Sequence, residues 1–277
     1  MKIKDLDKII EIALREDFPK GDITSESCVP SQSLSEAVFL AKEGGILAGI
    51  DVVNRVFEKI DRRLEFEKNF EDGQEFTKGD ILAKVKGNSI SILKGERTAL
   101  NFLQRMSGIA TKTRKFVQAL HGTNTKILDT RKTTPGLRML EKYAVRMGGG
   151  ENHRLNLSEM VLIKDNHIKI VGSISEAVKR AKAKVKKKKK IEVETKNLDE
   201  VKEAVESGVD VVMLDNMPLE KMREVVNWIK GKVPVEVSGQ VILKKIKDIS
   251  LLGVDYISVG SLTHSYKSLD ISLEFLE

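Results

Sequence analysis

The chain has 277 residues, of which 40% are apolar and 32% charged, the composition of an ordinary globular protein and not of a disordered one. No apolar run approaches the roughly 20 residues that cross a bilayer, and the N-terminal stretch MKIKDLDKIIEIALRED intersperses charge where a signal peptide would be apolar, so a cytoplasmic protein with no membrane partner is expected. The single cysteine, Cys28, excludes an internal disulfide and a cysteine-rich zinc site, while 48 basic against 41 acidic residues, a net +7, favour anionic ligands.

The first 108 residues carry turn signals at Asp72-Gly73 and Gly79-Asp80, inside FEDGQEFTKGDILAKVKG, between short alternating runs. They predict antiparallel hairpins and a separate α+β domain over 1–108. The next segment, GERTALNFLQRMSGIATKTRKFVQAL from Gly95, places Ala99, Leu103, Met106 and Ala110 on one helical stripe. A helix opening at that point puts Arg97 in its first turn, where the helix dipole already presents positive potential and a cation asks for an anion.

From about residue 122 a simple unit repeats. Apolar runs appear at KILD (126–129), MVLIKD (160–165), IEVET (191–195), VVMLD (211–215), VPVEVSG (233–239) and YISVG (256–260), with helical periodicity between them. Asn197 caps one helix that ends before Gly208; Pro218 opens another that ends before Gly231; Ser173 or Ser175 precedes a third. Strands alternating with helices imply parallel strands and crossover helices. Six such units point to a closed or nearly closed (β/α) barrel over 109–265, with a doubly wound open sheet as the alternative. Lys182 to Lys190 hold seven lysines in KAKVKKKKK. Without interleaved aromatics this run reads as a solvated helix end, its alternative being a nucleic-acid patch; no nucleic-acid partner is expected.

Barrel enzymes place their chemistry at the C-terminal strand ends. Those positions hold Asp129, Thr130, Arg131 and Lys132; Lys164, Asp165, Asn166 and His167; Glu194 and Thr195; Asp215 and Asn216; Ser238, Gly239 and Gln240; Val259, Gly260 and Ser261. Early strands thus supply cations, middle strands carboxylates, and the last two small residues whose backbone N–H groups suit a phosphate. Upstream of Lys164, the run Gly148–Gly150 allows close backbone approach, and His153 and Arg154 follow it. Arg154 with Arg131, Lys132 and Lys164 makes an anion clamp; His153 is either part of it or a surface histidine. Lys164 has a rival reading as the nucleophile of a Schiff-base aldolase.

These residues carry a resemblance. GDITS (21–25), GERTALNFLQRMSGIATKT (95–113), DTRKTTPGLR (129–138), GGGENHRLNLSEMVLIKDNH (148–167), IEVET, VMLDN (212–216), EVSG (236–239) and ISVGSLTHS (257–265) together resemble the quinolinate phosphoribosyltransferase family. The resemblance implies an N-terminal α+β sandwich domain followed by an incomplete (β/α) TIM-like barrel with phosphate-binding strand ends, and a tail, 266–277, returning to the first domain. It implies transfer of a phosphoribosyl group from phosphoribosyl pyrophosphate to quinolinate with loss of CO2, a requirement for Mg²⁺, and a homodimer or higher homo-oligomer. It further implies Arg97 as the arginine donated across the interface, and Thr130, Arg131, Lys132, His153, Arg154 and Lys164 as the lining for carboxylates and pyrophosphate. Glu194 and Asp215 match the acids near the ribose, and Ser238, Gly239, Gln240, Val259, Gly260 and Ser261 the 5′-phosphate cradle. Lys132, Lys164, Glu194 and Asp215 are the expected catalytic set. Three residues depart from the family pattern: Asn156 for glycine, Glu159 for aspartate, and Gln240 for asparagine or glycine.

Overall fold

A computed structural model describes residues 5–185 and 189–277. Its first elements are α1 (Leu6–Asp17), α2 (Ile23–Cys28), β1 (Leu34–Ala41), β2 (Gly45–Ile46), α3 (Ile50–Ile60), β3 (Glu65–Lys68), β4 (Glu75–Phe76), β5 (Ile81–Asn88) and α4 (Ser89–Ala119). Then come β6 (Lys126–Leu128), α5 (Arg138–Met147), β7 (Val161–Ile163), α6 (Asp165–Val171), α7 (Ile174–Lys184), β8 (Ile191–Thr195) and α8 (Leu198–Glu206). The remainder are β9 (Val211–Asp215), α9 (Leu219–Ile229), β10 (Val235–Ser238), α10 (Leu243–Ser250), β11 (Tyr256–Ser258), α11 (Ser261–His264) and β12 (Ile271–Phe275). They form two compact units: Met1–Arg114 with Thr133–Gly149 and Leu262–Glu277, and Lys115–Lys132 with Gly150–Ser261.

The first unit is built on an antiparallel sheet in the order β12-β1-β5-β3. Its central strand β1 alternates sides, so Ala37, Phe39 and Ala41 are fully buried. Phe39 meets Phe57 and Phe66 with ring centroids 6.1 and 6.2 Å away, both edge-on, a geometry worth more than area burial alone. The tail strand β12 pairs with β1 from Ala37↔Phe275 to Ala41↔Ile271. The expected turns are present, with Gly73 and Gly79 both at positive φ. The hairpins are not consecutive, however: β3 pairs with β5, and β4 pairs with β2.

Helix α4 begins at Ser89, six residues before the Gly95 start expected from the sequence. Arg97 is therefore not in the first turn, and the dipole reasoning that singled it out does not apply. The strand β5 passes into α4 with no intervening loop, and the start is marked by Asn88, whose side chain accepts from Ser91 N–H at 3.1 Å, a cap that the sequence reading passed over. The stripe Ala99, Leu103, Met106 and Ala110 is fully buried, and its larger members each contribute on the order of 2 kcal/mol. Gly108 on the same helix lets the chain at Lys267 approach: a Cβ there would lie 2.2 Å from the Lys267 carbonyl oxygen.

The second unit is a parallel six-stranded sheet in the order β6-β11-β10-β9-β8-β7. Read cyclically, that is chain order with one break, between β6 and β7. Six strands in barrel order, where a closed (β/α) barrel has eight, make the incomplete barrel. At the break, Glu151 forms a short parallel bridge with Leu128 through Glu151 N–H to the Ile127 carbonyl, 2.8 Å, and Asp129 N–H to the Glu151 carbonyl, 3.1 Å. On the strand face opposite the one that carries the polar residues, Val193, Val212, Leu214, Val237 and Ile257 are wholly inaccessible. The helices start where expected, with Ser173 accepting from Glu176 N–H and Asn197 from Glu200 N–H. Of the lysine run, Lys186, Lys187 and Lys188 lie outside the described residues. Lys182 and Lys184 close α7, and Lys182 donates to the Ser207 carbonyl at 2.7 Å. Among the described residues no helix is long and apolar enough to cross a membrane.

Candidate active site

Side chains alternate along a strand, so each barrel strand sends every second residue inward. Those residues are Leu162 on β7 with Lys164 just beyond it; Glu192 and Glu194 on β8; Met213 and Asp215 on β9; Glu236 and Ser238 on β10; and Ser258 on β11 followed by Gly260. All of them except Glu192 line one cavity of about 640 Å³, together with Thr130, Arg131, Lys132, His153, Arg154, Asn216, Gly239 and Gln240.

The cationic wall is held by backbone and buried acid. Asp129 at the end of β6 is fully buried; it accepts from His153 N–H at 2.9 Å and from the Asn152 carboxamide at 2.6 Å. It thereby fixes the segment that carries His153 and Arg154 beside the strand that carries Arg131 and Lys132. Arg154 is 9% exposed and donates to the Met160 carbonyl at 3.2 Å. Burial and then the neighbouring Arg131 pull its pKa below the ordinary guanidinium value; it stays charged, and two guanidinium groups crowded together are stabilised by an anion. Lys164 Nζ lies 2.7 Å from Glu194 Oε2, with the lysine side chain 45% exposed. Paired and half-exposed, it lacks the desolvated setting of a Schiff-base amine.

Beneath the mouth, His153 Nε2 lies 3.0 Å from Glu192 Oε2 and 3.5 Å from Glu236 Oε2. Glu236 also accepts from the Ser258 hydroxyl. Burial opposes charge on His153, but the hydrogen bonds to Glu192 and Glu236 outweigh it and carry its pKa up to about 9. Burial, reinforced by Glu236, raises Glu192 to about 7. One histidine and two glutamates this close have the composition of a metal site. The hydrogen bonds that raise His153, however, keep a proton on Nε2. That proton faces the carboxylates where a cation would need a lone pair.

The structure thus gathers Thr130, Arg131, Lys132, His153, Arg154, Lys164, Glu194, Asp215, Ser238, Gly239, Gln240 and Gly260 at one cavity. His153 is largely buried there, not a surface histidine. Two donors expected for phosphate are committed elsewhere: Val259 N–H donates to the Leu128 carbonyl at 2.9 Å, and Gln240 N–H to the Asn216 carboxamide at 3.1 Å. Val259 is buried in strand pairing, and Ser261 opens α11. Arg97 belongs to the first unit and is exposed on α4. Of the departures, Glu159 accepts from Leu155 N–H and Asn156 from Ser158 N–H, so both are used inside their own loop. Sequence reading missed Glu192, Glu236 and Ser258, and it placed Asn216 at a strand end without giving it a role. The first three sit two residues before strand-end positions it did name, and a period of two would have found them.

An α/β barrel whose strand ends bring arginines, lysines and carboxylates to one mouth is an enzyme built for polyanionic, phosphate-bearing substrates. Models of the quinolinate phosphoribosyl transferase N-terminal and C-terminal domains match residues 22–107 and 109–274. The chain belongs to that family. It is 44% identical over 269 residues to a probable carboxylating nicotinate-nucleotide pyrophosphorylase of Bacillus subtilis, covering 97% of this chain and 93% of the relative. It is 43% identical to a decarboxylating quinolinate phosphoribosyltransferase of Nicotiana glauca, covering 98% and 82%. Among solved structures, NadC from Streptococcus pyogenes superposes with a TM-score of 0.95 at 43% identity, covering all of both chains. The Francisella tularensis nicotinate-nucleotide pyrophosphorylase gives 0.94 at 40%, covering 100% and 98%.

Proposed function

We propose that the chain transfers the phosphoribosyl group of phosphoribosyl pyrophosphate to quinolinate and releases CO2, giving nicotinate mononucleotide and pyrophosphate for NAD biosynthesis. The observation that carries this reading is the convergence of Arg131, Lys132, Arg154 and Lys164 with Glu194 and Asp215 on one cavity, in a chain whose full-length relatives bear that activity in their names. Quinolinate brings two carboxylates and its cosubstrate a phosphate and a pyrophosphate. Only a cationic pocket holds so much negative charge out of water.

The pyridine nitrogen attacks the ribosyl carbon as the bond to pyrophosphate breaks, through an oxocarbenium-like state. Glu194 and Asp215 face the positive charge growing on the sugar, and Lys132 and Lys164 the negative charge leaving with pyrophosphate. The alkylated nitrogen is cationic, so when the C2 carboxylate departs as CO2 its electron pair is stabilised next to that charge, and C2 takes a proton. Mg²⁺ belongs to this reading as part of the phosphoribosyl pyrophosphate substrate; the mouth's hydroxyls and carboxylates are hard oxygen donors of the kind it accepts. Ser238, Gly239 and Gly260 at the ends of the last two strands suit the 5′-phosphate. A homo-oligomer, with the exposed Arg97 supplied to a neighbouring copy, and a cytoplasmic setting, suited to the free exposed thiol of Cys28, complete the proposal.

The test is to supply quinolinate labelled in its C2 carboxylate, with phosphoribosyl pyrophosphate and Mg²⁺, and to follow labelled CO2 with nicotinate mononucleotide. The proposal expects one CO2 per nucleotide and no turnover of nicotinate; turnover of nicotinate at a comparable rate, or none of quinolinate, would overturn it.

A further inference from the structure

Asn216 follows Asp215 at the end of β9 and joins two parts of the mouth. Its backbone is left-handed, φ 51°, a conformation that asparagine tolerates better than other side-chain-bearing residues. Its own N–H donates to the Ser238 carbonyl at 3.0 Å, extending the β9–β10 pairing by one bond past Asp215↔Ser238. Its carboxamide then divides: Oδ1 accepts from Gln240 N–H at 3.1 Å, and Nδ2 donates to Asp215 Oδ2 at 2.9 Å. The chemistry fixes that orientation, since an amide N–H needs an acceptor and a carboxylate a donor. Gly239 is moulded to this contact. Its φ is +123°, and a Cβ there would lie 2.5 Å from Asn216 Oδ1 and 2.9 Å from the Asn216 nitrogen.

We propose that Asn216 is a positioning residue whose carboxamide holds the Ser238–Gln240 phosphate loop with one end and aims the Asp215 carboxylate at the ribose with the other. This rests on the phosphoribosyl-transfer reading above. The two ends act on different stages: the loop binds the 5′-phosphate in ground and transition states alike, while Asp215 opposes charge present only as the glycosidic bond forms.

Steady-state kinetics of the full chain separate them. Asn216→Gly keeps the left-handed backbone without a carboxamide, and KM for phosphoribosyl pyrophosphate rises about tenfold and kcat falls, with KM for quinolinate unchanged within about twofold. Asn216→Asp keeps an acceptor for Gln240 N–H but sets a carboxylate against Asp215; kcat falls about a hundredfold while KM for phosphoribosyl pyrophosphate stays within about threefold. Identical profiles for the two variants, an equal rise in both KM values, or no change in either variant would overturn the proposal. If Asn216→Gly does not fold, the isosteric Asn216→Asp split decides alone. Gly239→Ala is the control on the underlying reading: if it leaves KM for phosphoribosyl pyrophosphate unchanged, the loop is not the phosphate site and that reading fails; if it raises KM while the Asn216 variants behave as wild type, only the role of Asn216 fails.

Discussion

His153 Nε2 and Glu192 Oε2 stand 3.0 Å apart beneath the cavity, with side chains 9% and 1% exposed. Both bind their proton more tightly in the fold than in the unfolded chain: His153 rises from 6.5 to about 9 and Glu192 from 4.5 to about 7. A raised pKa gives stability that is complete below the unfolded value and lost as pH climbs through the folded one. The Glu192 contribution therefore fades between about pH 4.5 and 7, and that of His153 between about 6.5 and 9. Thermal unfolding across this range should show the melting temperature falling as pH rises through these windows. Glu192→Gln should flatten the slope; an unchanged slope would mean the cluster does not hold the proton.

Lys132 is exposed at the cavity mouth, so its removal tests catalysis without disturbing the core. Lys132→Ala should lower kcat/KM by about a hundredfold, roughly 2.7 kcal/mol, with a melting temperature within about 2 °C of wild type. An activity loss matched by a loss of stability would assign the lysine to the scaffold.

In the first unit the buried Glu141 carboxylate, fully inaccessible, is ion-paired with Arg105 and accepts from Thr134 N–H at 3.1 Å. Arg105 also stacks on Tyr266, 5.0 Å from the ring centre. Glu141→Leu should cost about 3 kcal/mol in denaturant unfolding, because it leaves a partly buried cation without its partner. The double replacement Arg105→Met with Glu141→Leu should recover part of that loss; a double variant as unstable as the sum of its parts would contradict the pairing.

The barrel was legible because its strands are short apolar runs punctuated by caps: Asn197, Ser173 and Pro218 open helices where the sequence places them. The mouth was legible because polar residues at the end of a buried strand, such as Arg131 and Lys132, have no packing role to explain them. What stayed hidden depends on long-range pairing. Nothing local in Glu75-Phe76 says that its partner is Gly45-Ile46, whereas the start of α4 was marked by its Asn88 cap and passed over. Glu192 and Glu236 escaped notice since a glutamate within an apolar strand reads as solvent-facing until His153 is brought to it from another loop. Asn216 was placed at the mouth but given no role, because its importance lies in a left-handed backbone, which the sequence LDN only hints at.

The central claim is that the strand ends form one polyanion-binding bowl, and a crystal structure of the chain with quinolinate bound tests it most directly. The pyridine diacid should lie in the cavity of about 640 Å³, with its carboxylates within hydrogen-bond distance of Arg131, Arg154 and at least one of Lys132 and Lys164. Quinolinate bound elsewhere, with those four side chains touching none of it, would contradict the account.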